Sequence, residues 1–393
     1  MTTNFKQNGV DIDQLLITKT NAALVPVSFR NQNSGYNWLA VSGGLLGWGH
    51  NGFGVLGVGD NIHRSSPVQV GSSTNWQSTS SGRRNTLAMK TDGSLWGWGG
   101  NYFGCLGLGD TNHRSSPVQV GSLTDWKSIS SGYYHSLAIK TDGSLWSWGN
   151  NSYGRLGLGD TAQRSSPVQV GSLTDWKSIS GGYYHSLAIK TDGSLWVWGY
   201  NAYGALGLGD TSHKSSPVRI GSLTTWSSVT CSLLSSNAIK TDGSLWGWGA
   251  NNQGMLGLGD INHRSSPVQV GSLTDWKLVT SGNYHSLAIK ADGSLWVWGD
   301  NGYAGTLGLG DQTNKSSPVR IGSLTDWASI DGKCAKHSLA IKTNGSLWSW
   351  GNNSYGRLGL GDTNHRSSPT QIGSLTNWKF VACGGYHSLA ISQ

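Results

Sequence analysis

Seven copies of one tryptophan-bearing segment occupy nearly the whole chain. The stretch Ser136-Leu-Ala-Ile-Lys-Thr-Asp-Gly-Ser-Leu-Trp146-Ser-Trp148-Gly-Asn-Asn-Ser-Tyr-Gly-Arg-Leu-Gly-Leu-Gly-Asp160 recurs at intervals of about fifty residues. Counted by the second tryptophan of each core, the copies fall at Trp48, Trp98, Trp148, Trp198, Trp248, Trp298 and Trp350. Such a unit cannot bury its apolar face alone, so a period of this length means a solenoid, a propeller or an array.

One copy, read residue by residue, chooses between these. Trp126 to Ser130 reads as a short strand, Ser131 to His135 as a turn, and Ser136 to Lys140 as a second strand. Thr141-Asp-Gly143 is a hairpin turn, because Asp-Gly tolerates the positive φ that matches strand twist. Ser144 to Gly149 forms a third strand, with Trp146 and Trp148 on one face by its period of two. After a long polar loop, Pro167 to Val170 reads as a fourth strand, its proline at the first position where no ladder donor is lost. Four short antiparallel strands make one blade, and seven blades close a ring with only short edges. The expected fold is therefore all-β, a seven-bladed propeller of four-stranded antiparallel blades. The Leu-Ala-Ile strand occurs eight times against seven tryptophan strands, and the copy at Trp38 to Ser42 has lost its Thr-Asp-Gly turn. The C-terminal strand is thus expected to close the first blade. This divides the chain into an N-terminal arm, residues 1–37, and a propeller, residues 38–393.

Composition agrees. Only 12% of the 393 residues are charged, while 59 are glycine and 21 are tryptophan, which fits tight turns between packed strands and excludes disorder. The net charge of +8 permits anionic partners, but it is spread once per repeat, so nucleic acid is not favoured. Cys105, Cys231, Cys334 and Cys383 are widely spaced and form neither a zinc motif nor a disulfide framework. No signal peptide and no apolar run of membrane-spanning length is present.

The elements Asn151 to Asp160, Gly132 to Ala138 and Asp142 to Gly149 closely resemble the regulator of chromosome condensation repeat family. The resemblance covers Leu39 to Ile391 and implies a seven-bladed propeller. It also implies nucleotide exchange on a small GTPase or docking on chromatin, through a wedge inserted in one blade. Here the blades are nearly equal in length, with single-residue insertions near Gly305 and near Lys333 to Lys336, and no wedge. The segment Phe5 to Leu16 resembles the opening of many phage tail and baseplate proteins.

No catalytic constellation emerges. Gly-x-Ser-x-Gly, His-Glu-x-x-His and a complete phosphate loop are absent. His135, His185, His285, His337 and His387 recur once per copy, which fits a structural hydrogen bond rather than an active site. Asp160 with Arg164 reads as a loop-fixing pair. No enzyme activity, metal or cofactor is expected.

Comparison between copies shows where uniformity is abandoned. The Gly-Tyr-Tyr-His turns and the long loops should emerge on one face, and the Thr-Asp-Gly and Gly-Ser-Leu-Thr turns on the other. Only the first face varies. Its expected binding residues are Arg83, Arg84, Tyr133, Tyr134, Tyr183, Tyr184, Leu233, Leu234, Tyr284, Lys336 and Tyr386, because exposed tyrosine, arginine and leucine suit a protein or glycan partner. The expected function is a non-enzymatic binding propeller, specifically a phage tail-associated or host-recognition protein joined to a larger assembly by its arm and located on the virion. The alternative is a cytoplasmic regulator of the exchange-factor or chromatin-binding type.

Overall fold

The tryptophan repeat becomes a ring of 28 short strands, β1 to β28 in chain order, arranged as seven four-stranded sheets. The computed structural model describes residues 43–333 and 336–393. The expected N-terminal arm, the start of the ring at residue 38, and the degenerate copy Trp38 to Ser42 lie outside the described residues.

A representative blade contains β7 (Trp126–Ser131), β8 (His135–Lys140), β9 (Leu145–Gly149) and β10 (Arg164–Gln169), paired in that order. β8 and β9 pair in unbroken antiparallel register from His135 opposite Gly149 to Ile139 opposite Leu145. The outermost strand starts earlier than its sequence indicates. β10 begins at Arg164, which places Pro167 inside the strand rather than at its start. Its register with β9 breaks between Arg164 and Val168, so proline sits at an irregularity on an edge where no ladder hydrogen bond is required of it.

Packing between blades follows from the alternation along each strand. Leu137 and Ile139 face the next blade and meet Ala188 and Trp198, while Ala138 faces the preceding blade beside Leu87, Met89 and Trp148. The small alanine leaves room for Trp126 and Trp148 of its own blade to pack against the preceding one. All seven second tryptophans are fully buried, each contributing an upper bound of about 5 kcal/mol from the area withdrawn from water.

The ring closes as the strand count requires. β28 (His387–Ser392) lies between β1 (Leu45–Gly49) and β27 (Trp378–Cys383), with β2 (Arg64–Gln69) outermost. Leu45 to Gly49 pair without interruption with Ile391 to His387. The closing blade therefore takes two strands from each end of the ring. Cys383 is disulfide-bonded, which the wide cysteine spacing did not reveal; Cys105 and Cys231 are free and buried.

Candidate functional site

The recurring histidines form seams between blades. The Ser186 hydroxyl donates to the Arg155 carbonyl at 2.9 Å, so its oxygen is left to accept from His135 Nε2 at 2.9 Å. The indole of Trp198 donates to that same carbonyl at 2.8 Å. Equivalent contacts join His185 to Ser236, His285 to Ser338, His337 to Ser388, and His387 to Thr86 across the closing blade. Burial holds all five imidazoles neutral: His185 and His387 are pushed down to about 3 and His285 to about 4, with His135 and His337 well below their ordinary range. These rings are occupied in holding blades together.

The turns before these histidines and the long loops share one face, as the aromatic contacts show: Phe103 lies 5.4 Å from Tyr134, and Tyr153 lies 6.1 Å from Tyr184. Within each turn the two middle residues part company. The first goes to the channel on the ring axis, whose mouth is lined by Arg83, Tyr133, Tyr183, Asn283 and Lys333. There the Tyr133 and Tyr183 rings lie 3.8 Å apart, Arg83 sits 4.5 Å above Tyr133, and Asn283 donates to the Tyr183 hydroxyl at 2.7 Å. Tyr133 is only 8% exposed, so it plugs the channel rather than presenting itself to a partner. Arg83 and Tyr183 are half-buried in the same plug.

The second residue of each turn reaches outward to the loops. Arg84 lies 4.7 Å over Phe53, and the Lys336 ammonium lies 4.0 Å over Tyr303. Tyr386 accepts a hydrogen bond from Arg83 at 3.2 Å and lies 5.1 Å from the Arg357 guanidinium. Tyr284 is exposed, while Leu233 and Leu234 are half-buried. The expected residues are thus brought to one face but split into an axial plug and an outer circle.

Sequence reasoning missed two members. Arg155 and Arg357 are almost fully buried between tyrosines, and burial lowers both to about 10. Their signal was available in one of the variable positions of the long loop, which reads Val55, Cys105, Arg155, Ala205, Met255, Thr306 and Arg357. Phe103, Tyr153, Tyr203, Tyr303 and Tyr355 also stand exposed on the outer loops.

Charge on this face is unevenly cancelled. Each long loop carries an internal pair, such as Asp160 with Arg164 at 2.6 Å, and seven such pairs neutralise themselves. Arg83, Arg84, Arg155, Lys333, Lys336 and Arg357 take part in no ion pair among the described residues. No cluster of His, Cys, Asp or Glu suited to a metal occurs among the described residues, and no described helix is long and apolar enough to cross a membrane.

An RCC1-like domain description matches residues 32–281, and the regulator of chromosome condensation (RCC1) repeat matches residues 292–341 and 344–391. The chain belongs to the RCC1-like domain family. The RCC2 homologue of Danio rerio is 44% identical over 85 residues, covering 20% of this chain and 17% of that protein. The match therefore spans less than a fifth of that relative's length. Human WBSCR16 superposes with a TM-score of 0.79 at 23% identity, covering 89% of this chain and 98% of that one. Prp20p from Saccharomyces cerevisiae gives 0.79 at 21% identity, covering 90% and 92%. At these identities the structures show the shared fold.

These relatives overturn the phage tail and host-recognition reading, and with it the virion location. That reading rested on the dozen residues Phe5 to Leu16, which lie outside the described residues. A short Asn-Gly segment carries far less information than seven ordered repeats, and the repeats lead to RCC-type proteins.

Proposed function

We propose that this chain is an RCC1-type regulator that acts by binding, docking an acidic surface of a protein partner on its varied face. A small GTPase is the partner class to test first. The observation that carries this reading is that Arg84 and Lys336, cations without ion-pair partners among the described residues, stand half-buried beside the aromatic side chains of the outer loops, on the face that differs from blade to blade. Guanidinium groups supply charge-assisted hydrogen bonds to carboxylates, and aromatic rings supply contact area at low entropic cost. Prp20p is described with binding properties to Gsp1p and histones. A cationic face favours an acidic docking surface over basic histone tails. Without a wedge-sized insertion, capture of the partner is expected rather than ejection of its nucleotide. Neither catalysis nor a cofactor is needed for this role.

The test is calorimetric titration with a purified small GTPase, in its nucleotide-free and GDP-bound forms, alongside release of a fluorescent GDP analogue. Replacing Arg84, Tyr134, Leu234 and Lys336 together by alanine should weaken binding at least roughly tenfold, about 1.4 kcal/mol, and wild-type binding should weaken with salt. Binding that survives this replacement but is lost on Asp142→Ala, Asp192→Ala and Asp242→Ala would place the docking surface on the opposite face.

A further inference from the structure

The mouth of the axial channel holds a half-open cavity of about 30 Å³, room enough for a water or a monatomic ion. Among the described residues, the charged side chains that line it are Arg83 and Lys333, and no carboxylate does. The Lys333 ammonium reaches across the axis to the Ser130 hydroxyl at 3.0 Å, which uses one of its three N–H donors. Ser130 also receives the Gly181 N–H at 3.0 Å, so its oxygen is already shared. Asp331 is nearby in sequence, but its carboxylate is turned to the blade seam. It accepts the Lys333 backbone N–H at 2.8 Å and the Cys383 N–H at 3.0 Å, so it attracts the ammonium from a distance without a direct ion pair.

A third donor points to the same place. The buried Ser81 hydroxyl, in a side chain 5% exposed, lines the cavity without a hydrogen-bond partner. Its counterparts Ser131 and Cys231 both donate to the preceding blade, to Ser80 and Ser180 carbonyls at 3.0 and 3.1 Å. Ser81 makes no such bond, and it lines the same cavity as Arg83 and Lys333.

We propose that the channel mouth is a binding site for a single monatomic anion of the chloride class, held by the Lys333 ammonium, the Ser81 hydroxyl and the Arg83 guanidinium. A buried ammonium with a single side-chain hydrogen bond is costly, and a small anion in the cavity would supply the further acceptor and countercharge it lacks. Burial depresses the Lys333 ammonium although the Asp331 carboxylate attracts it, and an anion in the cavity would oppose that depression further. This site is independent of which protein docks on the surrounding face.

The test uses the full chain with chloride or bromide as the probe. Crystals soaked in bromide should show an anomalous peak in the channel mouth. Calorimetry at matched ionic strength should show a saturable rise in Tm with chloride over gluconate. Lys333→Met should abolish both the peak and the chloride dependence, and Ser81→Ala should raise the half-saturating chloride concentration roughly tenfold. If Lys333→Met does not fold, the Ser81→Ala shift decides the matter. A channel without bromide, or a chloride dependence unchanged in both variants, overturns the proposal. A bromide peak without any chloride stabilisation shows an adventitious ion only, and overturns it equally.

Discussion

The two faces of the ring solve the same turn problem by different means. On the uniform face, side chains brace a turn that the backbone also closes, with Lys140 N donating to the Ser144 carbonyl and Gly143 N to the Lys140 carbonyl, each at 3.0 Å. Asp142 accepts the Ser144 N–H at 2.9 Å and its hydroxyl at 2.7 Å, and the Ser144 oxygen receives the Trp146 indole at 2.9 Å. Gly143 adopts φ +82°, and a Cβ there would come within 2.0 Å of the Thr174 carbonyl oxygen in the adjacent turn. Every position is constrained, so the copies hardly differ. On the varied face, backbone closes the turn, with Gly132 N donating to the His135 carbonyl at 2.8 Å. Its two middle side chains are free of that duty. Sequence variation, and with it recognition, goes where the backbone is self-sufficient.

The largest expected effect tests the ring to which both faces belong. Ending the chain at Cys383 removes β28 from between β1 and β27, and cooperative thermal unfolding should be lost or shifted sharply downward. A truncated protein that melts like the intact one would break the closure assignment. Next comes Gly143→Ala on the uniform face, expected to cost about 3 kcal/mol or more in denaturant unfolding, since the contact is with backbone and φ is left-handed.

Acid should then act through the seams on the varied side. In the unfolded chain the five seam histidines take up protons below about pH 6.5, whereas the folded rings stay neutral until roughly pH 3–4. The unfolded state binds more protons in that window, so stability is full above it and falls as pH falls, by up to about 1.4 kcal/mol per unit per histidine. Replacing His185 by asparagine, the residue found at position 85, should flatten the Tm-versus-pH curve between pH 6.5 and 4. An unchanged slope would remove the histidines as its source.

Smaller still, Ser144→Ala should cost about 1 kcal/mol, because it leaves the Trp146 indole without its acceptor. Smallest is the double change Tyr134→Ala with Leu234→Ala on the varied face, expected within about 0.5 kcal/mol of wild type. If the last two reverse their order, the contrast between the faces fails.

Most of the fold was legible because each blade repeats the same short-range rules. The positions of Trp146 and Trp148, the Asp-Gly turn and the eighth Leu-Ala-Ile strand led directly to the blade and to its closure. The site was legible only as a face. Nothing local to Tyr133 and Tyr134 says that one turns to the axis and the other to the loops. Arg155 and Arg357 were overlooked because the binding residues were sought in the short turns, and nothing local to Arg155 says that its loop position reaches the neighbouring blade's turn at the Tyr183 carbonyl.

The sequence by itself determined strand, turn and blade, since these depend on residues a few positions apart: alternation, glycine at positive φ, and a period near fifty. Tertiary structure alone decided what the channel and its rim contain. Lys333 reaches Ser130, and Arg83 reaches Tyr386, over sequence separations that no local pattern encodes. Only the closure of seven blades around one axis brings those side chains within hydrogen-bonding distance.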